Sequence, residues 1–108
     1  MSDLGELAFL PDFIEPLRSG QKTATTRRSR HGTKGDTFTV GELEFMIDSV
    51  SPMPLGHAAD YYYQPEGVSS PLAFGVVWEQ CYGEGTFRLD AVVYVHTFHR
   101  VPKPGPVE

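Results

Sequence analysis

Lys22, Thr25 and Glu66 are the residues of this sequence whose types could support nucleophilic catalysis. A threonine hydroxyl is a weak nucleophile until a base removes its proton. A lysine can be that base when burial or neighbouring cations lower its pKa, and Lys22 lies in sequence among several arginines. A carboxylate such as Glu66 could orient the lysine or carry a proton. The alternative is an ordinary polar strand, because threonine and lysine are common on strands.

The segment around Lys22 is basic within an acidic chain. Residues 18–35 contain six of the nine Lys and Arg residues and no Asp or Glu, whereas the whole sequence has a net charge of −5. Such a segment favours a negative or electron-rich partner, because local potential decides what a surface attracts. Arginines can hold phosphates, and the tyrosines at 61–63 can stack on bases, so an RNA-binding groove is a second hypothesis. A solvated basic strand beside core or surface tyrosines is the alternative without a function.

Metal and cysteine chemistry fit the sequence less well. The four histidines are scattered and Cys81 is the single cysteine, so we expect no metal centre and no cofactor. His96 and His99 have the i, i+3 spacing that suits a helix, yet their segment is typical of a strand. We expect Cys81 to be a buried, inert thiol on a helix. Residues 32–35 lack the spacing of a phosphate-binding loop.

Length and composition indicate one domain over residues 1–108. The sequence is 40% hydrophobic and 21% charged, as in ordinary globular proteins. One cysteine allows no intrachain disulfide, which fits a reducing compartment. The sequence has no signal-peptide pattern and no apolar run of membrane-spanning length, so we expect a cytoplasmic protein without a membrane partner. Residues 102–108 are rich in proline and are expected to form an extended or disordered tail.

The hydrophobic pattern and the turn residues predict a small α+β fold. Strands are predicted at 7–10, 22–28, 36–40, 43–50, 87–89 and 91–101, and helices at 13–18, 55–63 and 71–82. Gly20 is expected to stop the first helix, and Gly41 to form a hairpin connection. Pro52 and Pro54 are expected to end a strand. Because strands dominate and most connections are short, we expect a curled mixed sheet or open β-barrel with two or three helices.

Side-chain alternation along the strand at 22–28 separates the candidate residues onto two faces. One face would carry Lys22, Ala24, Thr26 and Arg28, and the other Thr23, Thr25 and Arg27. A kink or bulge next to Gly20 is therefore needed to bring Lys22 and Thr25 together.

The segment before the last helix is expected to hold Glu66 at a turn. Pro65 disfavours helical backbone at the residue before it, and Gly67 permits an unusual backbone. Ser70, followed by proline, is a good helix start. The residues of this helix that are available for burial are Leu72, Val76, Trp78 and Cys81.

The order of these pieces resembles the ASCH domain, a PUA-like fold, and within it the small bacterial N4-acetylcytidine amidohydrolase family. The family motif Gly-x-Lys-Thr-x-Thr-x-Arg is met at every fixed position between Gly20 and Arg27. Further matches are Gly35-Asp36 with the following strand, Glu66 just before a serine-capped helix, and the closing strand at 93–98. The resemblance covers about residues 8–101.

The resemblance implies a metal-independent amidohydrolase that acts on a modified nucleoside. The resemblance assigns the family's catalytic positions to Lys22, Thr25 and Glu66. The candidate substrate-binding residues in and around the motif are Gly20, Thr23, Arg27, Arg28 and Tyr63. The basic run from Arg28 to His31, the tyrosines before Glu66 and the proline-rich tail depart from the family pattern. Since the wider ASCH group is expected to include RNA-binding members, a non-catalytic RNA-binding module with the same groove is the alternative.

Overall fold

The computed structural model describes residues 9–102. A 3-10 turn, Pro11–Phe13, leads into the first helix. In chain order the elements are α1 (Ile14–Ser19), β1 (Ala24–Arg27), β2 (Thr37–Val40), β3 (Leu43–Pro54), α2 (Leu55–Tyr62), α3 (Pro71–Tyr82) and β4 (Val92–Val101). The predicted helices and the predicted strands at 22–28, 36–40, 43–50 and 91–101 are therefore present, most with boundaries shifted by a few residues.

The strands form one sheet in the order β1-β4-β3-β2. Every pairing among the described strands is antiparallel, so the curled sheet is antiparallel rather than mixed. β2 and β3 form the predicted hairpin, and Gly41 has the positive φ of 60° that its turn requires. An irregularity between Ile47 and Ser49 shifts the register of β3 against β4. The predicted α+β fold with a curled sheet is confirmed.

Two clusters of buried side chains hold the elements together. The first joins α1 to the hairpin and the end of β4 through Leu17, Phe38, Leu43, Phe45, Ile47 and Phe98. The second packs α2 and α3 on β1 and β4 through Ala24, Leu55, Ala58, Ala59, Phe74, Trp78, Val93 and Val95. Each fully buried large side chain stabilises the fold by roughly 1.5–3 kcal/mol. Since β1 contributes Ala24 to the second cluster, this packing fixes the strand that carries the candidate residues.

The strand predicted at 43–50 extends to Pro54, so Pro54 ends it as predicted, whereas Pro52 lies within it. β3 runs to Pro54 and pairs with β4 along that stretch, while β2 pairs with β3 only as far as Met46. Beyond Met46, β3 therefore has one edge without a strand partner among residues 9–102. A proline is tolerated at such an edge, because its missing N–H removes no ladder hydrogen bond there.

Two other predicted strands need correction. Residues 87–89 form no strand; Phe87 packs against the second cluster, and Ala91 N donates to Arg88 O in a turn. Of the strand predicted at 7–10, Phe9 and Leu10 are not in a strand, and residues 7 and 8 lie outside the described residues. Most of the predicted tail, residues 103–108, also lies outside them. Within residues 9–102 no helix is long and apolar enough to cross a membrane.

Of the four α3 residues predicted to be available for burial, Trp78 is buried, whereas Leu72, Val76 and Cys81 are not. Phe74 and Trp78, one helical turn apart, are buried, whereas Leu72 is 80% exposed and Val76 is 54% exposed. Cys81 is also exposed. Ser70 starts the helix as predicted, since its hydroxyl oxygen accepts from the backbone N–H of Ala73 at 3.0 Å.

Candidate active site

A sharp turn after α1 leads into β1, and Lys22 lies in the segment just before the strand. Gly20 ends α1 in the left-handed conformation with φ 85°, as the sequence predicted. Lys22 N then donates to Pro16 O at 2.9 Å, which ties the entry to the helix. Pro65 O accepts from the backbone N–H groups of Thr23 and Ala24 at 2.6 and 3.0 Å. The start of β1 is therefore joined by its backbone to the loop that precedes α3.

That loop holds Glu66 in a turn. Its backbone N–H donates to Tyr62 O at 3.0 Å, and the N–H of Gly67 donates to Gln64 O at 2.9 Å. Gly67 has φ 87°, and a Cβ at this position would lie 3.3 Å from Cβ of Lys22. Glycine therefore allows both the turn and the close approach of the loop to Lys22.

Lys22 is buried with all its ammonium protons engaged. Its Nζ donates to Ala24 O at 2.8 Å, to Glu66 O at 2.9 Å and to Glu66 Oε1 at 2.7 Å. The ring centroid of Phe13 lies 4.4 Å from Nζ. Burial lowers the pKa of Lys22, the Glu66 carboxylate opposes that shift, and the Arg27 guanidinium adds to it. Because an ammonium has three donors, this geometry is that of the protonated lysine.

The second oxygen of the Glu66 carboxylate is held by a residue that the sequence reasoning missed. Thr26 Oγ1 donates to Glu66 Oε2 at 2.5 Å, and both residues are buried. Alternation had placed Thr26 on the face opposite Thr25 and gave it no role. Because β1 is an edge strand and the pocket lies along that edge, both threonines line the same cavity. The run of polar residues Thr25, Thr26 and Arg27 in β1 was the feature of the sequence that could have identified Thr26.

Thr25 faces the pocket beside an arginine. Arg27 Nε donates to Thr25 Oγ1 at 3.0 Å, and the guanidinium carbon lies 5.0 Å from the ring centroid of Phe9. The backbone of Thr25 pairs with His96 in β4, which fixes its position along the strand. A guanidinium at the hydroxyl oxygen stabilises negative charge there, which is the charge that a nucleophilic or oxyanion step develops.

These residues line one pocket that is partly open to solvent and has a cavity volume of about 70 Å³. The polar residues of its wall are Lys22, Thr25, Thr26, Arg27 and Glu66. The aromatic residues of its wall are Phe9, Phe13, Phe74, Trp78 and Tyr82. The structure thus brings the three catalytic candidates and Arg27 to one cavity.

The other predicted substrate-binding residues lie outside the pocket wall. Gly20 caps α1, Thr23 is exposed, and Tyr63 packs against the second cluster. Arg28 is exposed, and its guanidinium carbon lies 4.3 Å from the ring centroid of Tyr82, which does line the pocket.

His96 is a buried structural histidine. Its Nε2 accepts from the backbone N–H of His31 at 2.9 Å, and Nδ1 lies 3.3 Å from Thr25 O and 3.1 Å from Tyr94 O. Two carbonyl acceptors at Nδ1 and a donor at Nε2 fit the neutral ring protonated at Nδ1. Burial lowers the pKa of His96 to about 4. The ring therefore fastens the basic loop after β1 to the backbone of Thr25.

Cys81 differs from its prediction. It is exposed and is one of the residues that line the pocket, because α3 directs Phe74 and Trp78 inward. Across residues 9–102, no three His, Cys, Asp or Glu side chains come together in a group that could hold a metal ion.

Solved structures share this fold at low sequence identity. Hypothetical protein PH0355 is 16% identical with a TM-score of 0.66, over 86% of this chain and 94% of that one. Protein EF3133 from Enterococcus faecalis, a DUF984 protein, is 17% identical with a TM-score of 0.60, over 81% and 68%. An ASCH domain from Lactobacillus crispatus is 17% identical with a TM-score of 0.60, over 80% and 68%.

No family model and no curated protein matches the sequence. At these identities the solved structures show the fold alone. The chain has the α+β, PUA-like fold of an ASCH domain, as its sequence motifs indicated.

Proposed function

We propose that this chain is an amidohydrolase that removes an acyl group from the amine of a modified nucleoside such as N4-acetylcytidine. The observation that carries the proposal is the buried ion pair of Lys22 and Glu66 beside two threonine hydroxyls in the wall of an aromatic pocket. Removing two charges from water costs several kcal/mol for each ion, and well-packed apolar residues often give equal stability. A catalytic role explains why the pocket wall carries this pair.

The pocket suits a planar heterocycle. Aromatic side chains from the 3-10 turn and from α3 supply apolar surfaces against which a base could pack. The polar residues of β1 and Glu66 line the same pocket, where an exocyclic acylamino group could meet them. An apolar lining with a few polar groups is typical of sites that bind a small ligand in one orientation.

In the proposed first step, Thr25 Oγ attacks the acyl carbonyl carbon. Lys22 passes a proton to Glu66, and its neutral amine takes the proton of the Thr25 hydroxyl. Burial favours this exchange, because it lowers the pKa of Lys22. Arg27, which donates to Thr25 Oγ1 at 3.0 Å, stabilises the negative charge that develops on oxygen.

In the second step, Lys22 gives its proton to the leaving amine as the C–N bond breaks, which leaves an acyl ester on Thr25. Water then attacks this ester, and the proton of water passes through the same lysine and carboxylate to the departing threonine oxygen. The products are the free amine and a carboxylic acid. The enzyme returns to its starting protonation state, so the scheme is balanced in atoms and charge.

A second candidate function is a non-catalytic RNA-binding module. The observation that favours it is the pair of exposed arginines outside the pocket wall. The guanidinium carbon of Arg28 lies 4.3 Å from the ring centroid of Tyr82, and that of Arg30 lies 5.0 Å from that of Tyr94. Oriented guanidinium groups can hold phosphates of an RNA backbone.

Incubation with N4-acetylcytidine, followed by chromatography, tests the leading proposal. We expect cytidine and acetate to appear in equal amounts and in proportion to protein concentration. Heat-denatured protein serves as the blank. Cytidine at the level of the blank, across a panel of N-acylated nucleosides, would reject the hydrolase and leave the RNA-binding candidate.

We propose the reducing cytoplasm as the compartment of this protein, because its sequence has a single cysteine.

A further inference from the structure

We infer that Thr26 is a positioning residue that fixes the Glu66 carboxylate in the orientation that serves Lys22. The inference rests on the proposed hydrolase function for its effect on turnover. Its structural basis is the hydrogen bond from Thr26 Oγ1 to Glu66 Oε2 at 2.5 Å. Thr26 is the neighbour of the proposed nucleophile, and the family motif that the sequence resembles assigns it no part.

Among residues 9–102, each oxygen of the Glu66 carboxylate has one hydrogen-bond donor. Oε1 accepts from Lys22 Nζ at 2.7 Å, and Oε2 accepts from Thr26 Oγ1. A glutamate with one donor can turn about its last side-chain bond, whereas donors on both oxygens restrict that rotation. Thr26 therefore fixes the orientation of the carboxylate plane relative to Lys22.

The support behind Thr26 is rigid. Its backbone pairs with Val95 in β4, and Val95 is itself part of the second cluster. Its side chain is 7% exposed, so little water can replace the hydroxyl. A positioning residue on a paired strand holds geometry better than one on a loop. By contrast Glu66 lies in a turn and needs such an anchor.

The two threonines of the pocket wall have different environments. Thr26 donates its proton to a carboxylate that is already paired with Lys22. Thr25 instead accepts from the Arg27 guanidinium, which stabilises negative charge on its oxygen. These environments assign nucleophilic attack to Thr25 and carboxylate positioning to Thr26.

The test compares Thr26→Val, which keeps the shape and removes the hydroxyl, with Thr26→Ser, which keeps the hydroxyl. We expect Thr26→Val to lower kcat for an acylated nucleoside about 10- to 100-fold with little change in KM, since a small misplacement of a catalytic group costs about that much. Thr26→Ser should recover most of kcat. Thr39→Val is the matched control, because Thr39 is an exposed strand threonine of β2 outside the pocket wall. In a Glu66→Gln background, Thr26→Val should add little.

Crystal structures of Thr26→Val and Thr26→Ser give a readout that does not depend on activity. We expect the Glu66 carboxylate to rotate away from Lys22 in the valine variant and to stay in place in the serine variant. An unmoved carboxylate in the valine variant overturns the inference whether or not the protein hydrolyses anything. If the wild type is inactive but the carboxylate rotates, the proposed function fails and the positioning role stands. If Thr26→Val is as inactive as Thr25→Ala with Glu66 unmoved, Thr26 takes part in the chemistry itself and the positioning role is rejected.

Discussion

Lys22 Nζ lies 2.7 Å from Glu66 Oε1, although 44 residues separate the two in sequence. Their side chains are 2% and 11% exposed, so water screens the pair very little. One partner precedes β1 and the other lies in the loop before α3. The pair therefore links the strand edge to the helix that supplies the aromatic wall of the pocket.

The ion pair gives the first prediction, which concerns stability. We expect Lys22→Met to lower the free energy of unfolding by about 3–5 kcal/mol, because it leaves a buried carboxylate without its cation. Urea denaturation with a constant m-value measures this. The double variant Lys22→Met, Glu66→Leu should recover part of the loss. A loss below about 1 kcal/mol for Lys22→Met, as in exposed pairs, would show that the pair is hydrated in solution.

The buried histidine of β4 gives a prediction for pH dependence. Its pKa falls from the ordinary value of 6.5 to about 4 in the folded protein because of burial. Between these values the unfolded chain binds a proton that the folded chain does not, so stability falls as pH falls through this window. We expect this difference in proton binding to lower the free energy of unfolding by about 3 kcal/mol at pH 4 relative to pH 7.

The check is the difference in unfolding free energy between pH 7 and pH 4.5 for wild type and for His96→Gln. We expect a smaller difference in the variant, and an unchanged one in the control His57→Gln, since His57 is exposed. Equal pH dependence in wild type and His96→Gln would contradict the buried, neutral assignment.

Helix α3 gives a prediction in which two apolar residues behave differently. Phe74 is 4% exposed and lines the pocket, whereas Leu72, two positions earlier, is 80% exposed. We expect Phe74→Ala to cost about 3–5 kcal/mol of stability. Leu72→Ala should stay within about 0.5 kcal/mol of wild type. Thermal or urea denaturation measures the free energy of unfolding of both variants. Similar losses of stability for the two variants would mean that α3 buries a different face.

The exposed arginines give a prediction that separates the two candidate functions. Arg28→Ala with Arg30→Ala should leave hydrolysis of N4-acetylcytidine nearly unchanged, because both side chains lie outside the pocket wall. If the chain binds RNA, the same double variant should weaken binding and reduce its salt dependence, since fewer counterions are released. Arg88→Ala is the control, because Arg88 is exposed and lies in the loop between α3 and β4. Salt titration of RNA affinity and initial rates of cytidine release are the two measurements.

Much of the fold could be predicted from the sequence, because its signals are local. Gly20, Gly41 and Ser70 mark an end, a turn and a start through their own conformational preferences, and each does so in the structure. The motif around Lys22 supplied Lys22, Thr25 and Arg27 as candidates, and the structure brings them to one cavity with Glu66. The extension of the strand predicted at 43–50 to Pro54 was missed, because tolerance of proline depends on which strand edge lacks a partner.

The remaining misses depend on tertiary contacts that spacing does not reveal. Leu72 and Val76 are as apolar as the buried residues of α3. They are exposed because the helix packs through the face that carries Phe74 and Trp78. Thr26 gained its contact because a loop 40 residues later brings Glu66 to the same strand edge. Side-chain alternation predicts that Thr25 and Thr26 lie on opposite faces of the strand. It does not account for a pocket at the strand edge that both side chains can line.

Turnover by Thr25 variants tests the central claim most directly. Thr25→Ala removes the proposed attacking oxygen and leaves the Lys22–Glu66 pair in place, so release of cytidine from N4-acetylcytidine should fall to background while substrate binding changes little. Thr25→Ser keeps a hydroxyl and should retain measurable turnover. Unfolding curves that match the wild type would show that both variants are folded. Undiminished cytidine release by Thr25→Ala would contradict the proposed mechanism, even though the ASCH fold would stand.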